Sequence, residues 1–253
     1  MNGKQVIRLA IVFWVLGLAT GKLAAGEGTS GAEAKQGKTE RKVNPAMTPV
    51  EDVEGLPRVL LIGDSISIGY TIPVREKLAG KANVHRPLTN CGPTTKGVEA
   101  VDEWLGEGTW DVIHFNWGLH DLKYMGPNGE NLAEPGAEGS QQQVAPAEYE
   151  ANLRKLVERL KETGAVLIWR NTTPVPEGAK GRVAGDSAKY NAIAAGIMEG
   201  HGIVTNDLFT VSEGLEEGMQ LPANVHYSKE GSDALADSVV ASILEGLGKK
   251  RDQ

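Results

Sequence analysis

A chain of 253 residues with 40% hydrophobic and 23% charged residues has the composition of a globular protein and excludes a wholly disordered or fibrous one. Its net charge of −7 argues against a nucleic-acid partner, which would need a basic face, and weighs mildly against polyanionic substrates. One cysteine, Cys91, leaves neither an intramolecular disulfide nor a cysteine-based zinc site.

Residues 1–25 read as a secretory signal: Lys4 and Arg8 precede an apolar run from Leu9 to Leu18, and small residues follow at Ala24, Ala25 and Gly26. The run is shorter than the ~20 residues needed to cross a bilayer. Export to the periplasm or beyond is expected, with no stable membrane span after cleavage. Residues 26–49 carry almost no large apolar side chain and cannot offset their ordering entropy, so a flexible linker is predicted. The globular part is then 50–248, one domain with one core.

Within it, 58–63 is a continuous apolar run closed by Gly63, the pattern of a strand buried on both faces. Further strands are predicted at 83–86, 111–116, 165–170 and 202–206. Tyr149, Leu153, Leu156, Val157 and Leu160 fall on one helical face, as do Leu235, Val239, Ile243 and Leu247, the latter helix with Ser228 as N-cap. Strands alternating with helices predict a three-layer α/β/α sandwich around a mainly parallel, flavodoxin-like five-stranded sheet. In such sheets ligands bind at the carboxyl ends of the strands.

Those ends carry chemistry. The first strand runs into Gly63-Asp64-Ser65, where a tight strand-to-helix turn can present a serine hydroxyl; there is no G-x-S-x-G elbow. After the second strand comes Asn90-Cys91-Gly92, after the third Gly118-Leu119-His120-Asp121, and before the last helix Asn224-Val225-His226-Tyr227. Four such blocks, in this order and each at a strand end or helix start, resemble the SGNH hydrolases, the GDSL esterase group. The resemblance spans nearly the whole domain. It implies Ser65 as nucleophile, His226 as base, and an oxyanion hole made by the Ser65 and Gly92 amides with the side chain at position 120.

The sequence departs from that pattern twice. The third-block asparagine is His120, which can still donate through a ring N–H but makes the hole sensitive to tautomer and pH. The aspartate expected three residues before the base is Ala223, which has no acceptor. The anchor of His226 is then a backbone carbonyl, the preferred reading, or the Asn224 amide oxygen, with Asp207 as a more distant carboxylate candidate. Trp117, Tyr227 and Thr173 stand where they would line a substrate pocket, with core packing the competing role for the first two. Cys91 reads as a small packed residue, and Asp64 and Asp121 as turn residues. His85, His114 and His201 lack the spacing of a metal set, and no cofactor is expected. Segments 126–146 and 176–181 lack periodicity and read as a covering insertion and a mobile rim loop.

The resemblance implies an exported serine esterase acting on short-chain acyl esters, acetyl foremost, on a small molecule or a carbohydrate. The competing readings are a catalytically weak carbohydrate-binding relative, suggested by Ala223, and an acyltransferase.

Overall fold

The computed structural model describes residues 44–251, so the predicted signal and most of the linker lie outside the described residues. Five parallel strands form the main sheet: β1 (Arg58–Ile62), β2 (Asn83–His85), β3 (Val112–Phe115), β6 (Val166–Arg170) and β7 (Val204–Asn206), in the order β2-β1-β3-β6-β7. Each predicted strand is present within one or two residues of its expected ends. β4 (Tyr124–Met125) and β5 (Gln141–Gln142) pair antiparallel as a separate two-stranded ribbon, so the insertion is not structureless.

Burial explains the apolar runs. Val59 through Ile62 and Val112 through Phe115 are all buried, as central strands covered on both faces must be. On one side α1 (Ser65–Lys77) packs against α6 (Lys229–Arg251). Gly246 of α6 leaves room for Ile168, Val112 and Val166 of the sheet. On the other side α2 (Thr94–Leu105), α3 (Pro146–Lys161) and α4 (Asp186–Gly200) follow one another. There Trp117 sits against Gly97 of α2, and the Tyr149 and Tyr190 rings meet edge-on at 4.8 Å between α3 and α4. Ser228 caps α6 as expected, its Oγ accepting the Gly231 N–H at 3.0 Å.

Ordered packing extends before position 50. Pro45–Met47 form a 3-10 turn capped by Asn44, Ala46 is buried, and Arg75 of α1 donates to the Pro45 carbonyl at 3.2 Å.

Strand order sets the location of the site. From β1 the chain moves to β2 on one side, then crosses to β3 on the other, so the sheet changes winding direction between β1 and β3. A crevice opens at the carboxyl ends of the strands flanking such a switch. Ser65 follows β1 and His120 follows β3. A separate cleft of about 750 Å³, lined by Leu56, Pro57, Asp111 and Leu244 among others, lies at the opposite end, before β1 and β3 begin.

Candidate active site

Ser65 is the first residue of α1, and Asp64 is its N-cap, accepting the Ile66 N–H at 3.0 Å. Arg170, the last residue of β6, reaches the same carboxylate oxygen with Nη2 at 3.2 Å; the two side chains are 0% and 2% exposed. Burial alone would raise the Asp64 pKa, but the Arg170 charge, His120 and the Ile66 and Ser67 amides outweigh it and hold the carboxyl below its ordinary value. Asn116, just past β3, accepts from Arg170 Nη2 at 2.7 Å and donates to the Arg170 carbonyl at 2.6 Å. The ends of β1, β3 and β6 are thereby tied together behind the serine. Sequence reasoning missed Arg170 and Asn116; the available signal was a charged residue closing an otherwise apolar strand.

His226 stands over Ser65, with Nε2 2.9 Å from Oγ. Its Nδ1 lies 2.7 Å from Asn224 Oδ1, and that oxygen also accepts the His226 backbone N–H at 3.1 Å. The second bond fixes the first. A backbone N–H can only donate, so the carbonyl oxygen of Asn224, not its NH₂, faces the ring. Nδ1 therefore carries the proton, and Nε2 presents its lone pair to the serine hydroxyl. The loop is closed by Leu221 N–H to His226 O (2.9 Å) and Asn224 N–H to Leu221 O (3.2 Å), with Ala223 left-handed at φ 50° and Val225 buried as its anchor. Ser65 is half-buried, while Asn224 and His226 are exposed.

No protein-family model and no curated protein matches the sequence. Solved structures do match. A lipase/acylhydrolase from Enterococcus faecalis superposes with TM-score 0.60 at 16% identity, covering 77% of this chain and 97% of that one. A GDSL-like lipase from Bacteroides thetaiotaomicron gives 0.57 at 14% identity, covering 80% and 94%. An acetyl xylan esterase gives 0.56 at 14% identity, covering 74% and 99%. The chain has the SGNH hydrolase fold.

On that fold the two departures take physical form. Ala223, where the resemblance led an aspartate to be expected, is exposed, and its Cβ lies 3.2 Å from where a Cβ on Gly178 would stand. The expected backbone-carbonyl anchor is corrected to the Asn224 side chain, one residue nearer the histidine. Asp207 is engaged elsewhere, capping α5 (Leu208–Glu213) through the Thr210 N–H and accepting from Asn171 Nδ2 at 2.6 Å.

His120 is half-buried. Burial pushes its pKa down to about 4; Asp64 opposes the shift, and the charges of Lys123, Arg182 and Lys96 reinforce it. The shift favours the neutral ring, with one N–H to donate. Gly92 adopts φ 64°, which its lack of a Cβ permits, but its N–H already donates to Asn90 Oδ1 at 2.9 Å. An oxyanion can use that amide only by displacing the Asn90 oxygen. The Ser65 N–H lies in the first turn of α1, where the helix dipole favours negative charge.

The pocket-lining residues are corrected. Trp117 is 0% exposed, wedged against Gly97 and Phe115, because β3 directs it into the α2–α3 layer. Thr173 is likewise fully buried. Tyr227 is half-buried, its hydroxyl is tied to Ser212, and it lines a cleft with Gly69, Pro73 and Ser228. Segment 176–181 is not a free rim: Ala179 is buried, Gly181 O accepts the Tyr124 N–H at 2.8 Å, and a Cβ on Gly181 would strike Leu132 backbone at 2.4 Å. Cys91 is buried, and burial pushes its thiol up to about 11. Asp121 accepts from both the amide and the hydroxyl of Thr94, fixing the start of α2 against the third turn. The other histidines are dispersed, His85 beside Asp52, His114 beside Asn206 and His201 beside Lys161.

Proposed function

We propose that the protein is an exported serine esterase that hydrolyses short-chain acyl esters, acetyl foremost, through an acyl-serine intermediate. The observation that carries this reading is the unbroken Ser65–His226–Asn224 relay at the head of α1. Ser65 Oγ attacks the ester carbonyl carbon and its proton passes to His226 Nε2, while Nδ1–H stays on Asn224 Oδ1. The carbonyl oxygen becomes an oxyanion facing the Ser65 amide and the neutral His120 N–H, with the Gly92 amide as third donor once Asn90 withdraws. Collapse breaks the bond to the alcohol, which leaves with the proton from Nε2. Water then attacks the acyl-serine with His226 again as base, releasing the carboxylic acid and restoring Ser65.

Exposure of His226 and Asn224 supports hydrolysis over transfer, since water reaches the acyl-enzyme freely. The same openness admits an ester carried on a bulky alcohol, and the acetyl xylan esterase among the structural neighbours supports a carbohydrate. Export rests on residues 1–25 alone. The reading of a decayed, merely binding site drew its support from Ala223, and Asn224 supplies the anchor that Ala223 lacks.

The test is a fluorophosphonate adduct located by mass spectrometry, together with p-nitrophenyl acetate hydrolysis by Ser65→Ala. Labelling at Ser65 and a loss of ~10³ or more in kcat with folding unchanged are expected. Activity within tenfold of wild type removes Ser65 from the chemistry.

A further inference from the structure

The acidic net charge conceals a local cluster of cations around His120. Lys123, three residues past His120, is only 9% exposed, yet no carboxylate of the described residues forms an ion pair with it. Arg182 donates through Nε to the carbonyl of Leu119, the residue before His120, at 3.2 Å, and its two terminal nitrogens have no partner among the described residues. The Tyr124 N–H to Gly181 O bond (2.8 Å) runs between the residues next to these two cations and holds their segments side by side. Lys96, from α2, donates to Thr89 Oγ1 at 3.1 Å and to the Asn90 carbonyl at 2.7 Å, and its Cδ lies 3.2 Å from the Cβ position of Gly92.

All three charges act on His120, and Arg182 also senses Asp64, the neighbour of the nucleophile. The acids close by are committed. Asp64 serves Arg170 and the amides of α1, and Asp121 serves Thr94, its pKa raised by burial to about 7. Burial lowers the pKa of both Lys123 and Arg182, so the folded protein holds partly desolvated positive charge that an incoming anion would relieve. Arg182 offers its fork of N–H donors and Lys123 a point charge, a pairing suited to a carboxylate.

We propose that Lys123, Arg182 and Lys96 form an anion subsite beside Ser65 and His120, so that the preferred ester bears a carboxylate or another fixed negative charge near its scissile bond. This deepens the serine-esterase reading and rests on it. It also sets aside the inference from net charge, since charge close to a site outweighs the sum over the surface.

Two matched pairs of esters test it with the full-length protein. Mono-p-nitrophenyl succinate against p-nitrophenyl butyrate places the charge on the acyl side; an O-acetylated methyl galacturonide against the corresponding galactoside places it on the alcohol side. At least one pair is expected to show kcat/KM about tenfold higher for the charged ester, falling steeply with added salt. Lys123→Met and, separately, Arg182→Gln are expected to lower that charged-to-neutral ratio at least fivefold. A ratio near one for both pairs overturns the subsite. So does an equal loss on charged and neutral partners in both variants, which would give the cations to the oxyanion instead. Calorimetric binding of monomethyl succinate and methyl galacturonide to Ser65→Ala, against methyl butyrate and methyl galactoside, separates this proposal from the esterase reading. Tighter binding of a charged ligand, weakened by adding Lys123→Met, upholds the subsite even if no ester is turned over, whereas equal binding of both pairs sinks it.

Discussion

Replacing Asn224 by alanine removes the side-chain hydrogen-bond partner of His226 Nδ1 without touching the Ser65–His226 pair. The loop has independent supports, the Leu221–His226 backbone bond and the buried Val225, so its course is expected to survive. What is lost is the 2.7 Å bond that holds the Nδ1–H tautomer and strengthens as the ring gains its proton. A hydrogen bond to a charged group is worth about 1.5–3 kcal/mol, which converts to a ~10–10² fall in kcat at 25 °C. That is milder than the ~10⁴ seen when asparagine replaces a triad aspartate, where the amide selects the wrong tautomer. Here the His226 backbone N–H already compels Asn224 to present its oxygen. Asn224→Asp supplies a carboxylate at the same place, which stabilises the protonated ring, so the acidic limb of kcat/KM is expected to move about one unit to higher pH. Ala223→Asp is expected to leave that limb where it is, because position 223 faces Gly178. The assay is a pH–rate profile of the three variants and wild type on p-nitrophenyl acetate. Asn224→Ala within twofold of wild type, or a limb that moves with Ala223→Asp and not with Asn224→Asp, would refute the assignment of the anchor.

His120→Ala is expected to lower kcat by ~10²–10³ with KM little changed, and His120→Asn to recover much of it, whereas an asparagine variant no better than alanine would make the residue structural. Arg170→Met leaves the Asp64 carboxylate buried and unpaired, and urea titration is expected to record a loss of about 3–5 kcal/mol, partly restored by adding Asp64→Asn; a loss under about 1 kcal/mol would mean the cross-tie does not stabilise the fold. Burial raises the Asp121 pKa from its unfolded value to about 7, so the folded state holds a proton that the unfolded chain releases above pH 4. Its contribution is complete below about pH 4 and is lost as pH rises through 7, by about 4 kcal/mol, with Thr94, Lys123, Tyr149, Tyr190 and Asp64 as the groups facing it. Asp121→Asn should remove that decline, and parallel stability–pH curves for the two proteins would refute it.

The alternation of apolar strands and amphipathic helices was written in the sequence, since a strand covered on both faces has to be continuously apolar, as Val59–Ile62 and Val112–Phe115 are. Ser65 and His226 were singled out for a related reason: Ser65 opens α1, and His226 stands three residues before α6. The anchor of His226 was not, because the choice between positions 223 and 224 depends on a left-handed residue and on what Gly178 leaves room for, two loops distant in the chain. Trp117 and Thr173 were misplaced for the complementary reason. Position at a strand end says that a residue is near the crevice, while the side it faces depends on the helix packed there. Arg170, Lys123 and Arg182 are single charged residues with no local pattern, and their roles arise only where β1, β3, β6 and the 176–182 segment converge. Sequence determined the elements and singled out Ser65 and His226; tertiary structure decided their partners, because charge and hydrogen bonding act through space between segments that periodicity cannot connect.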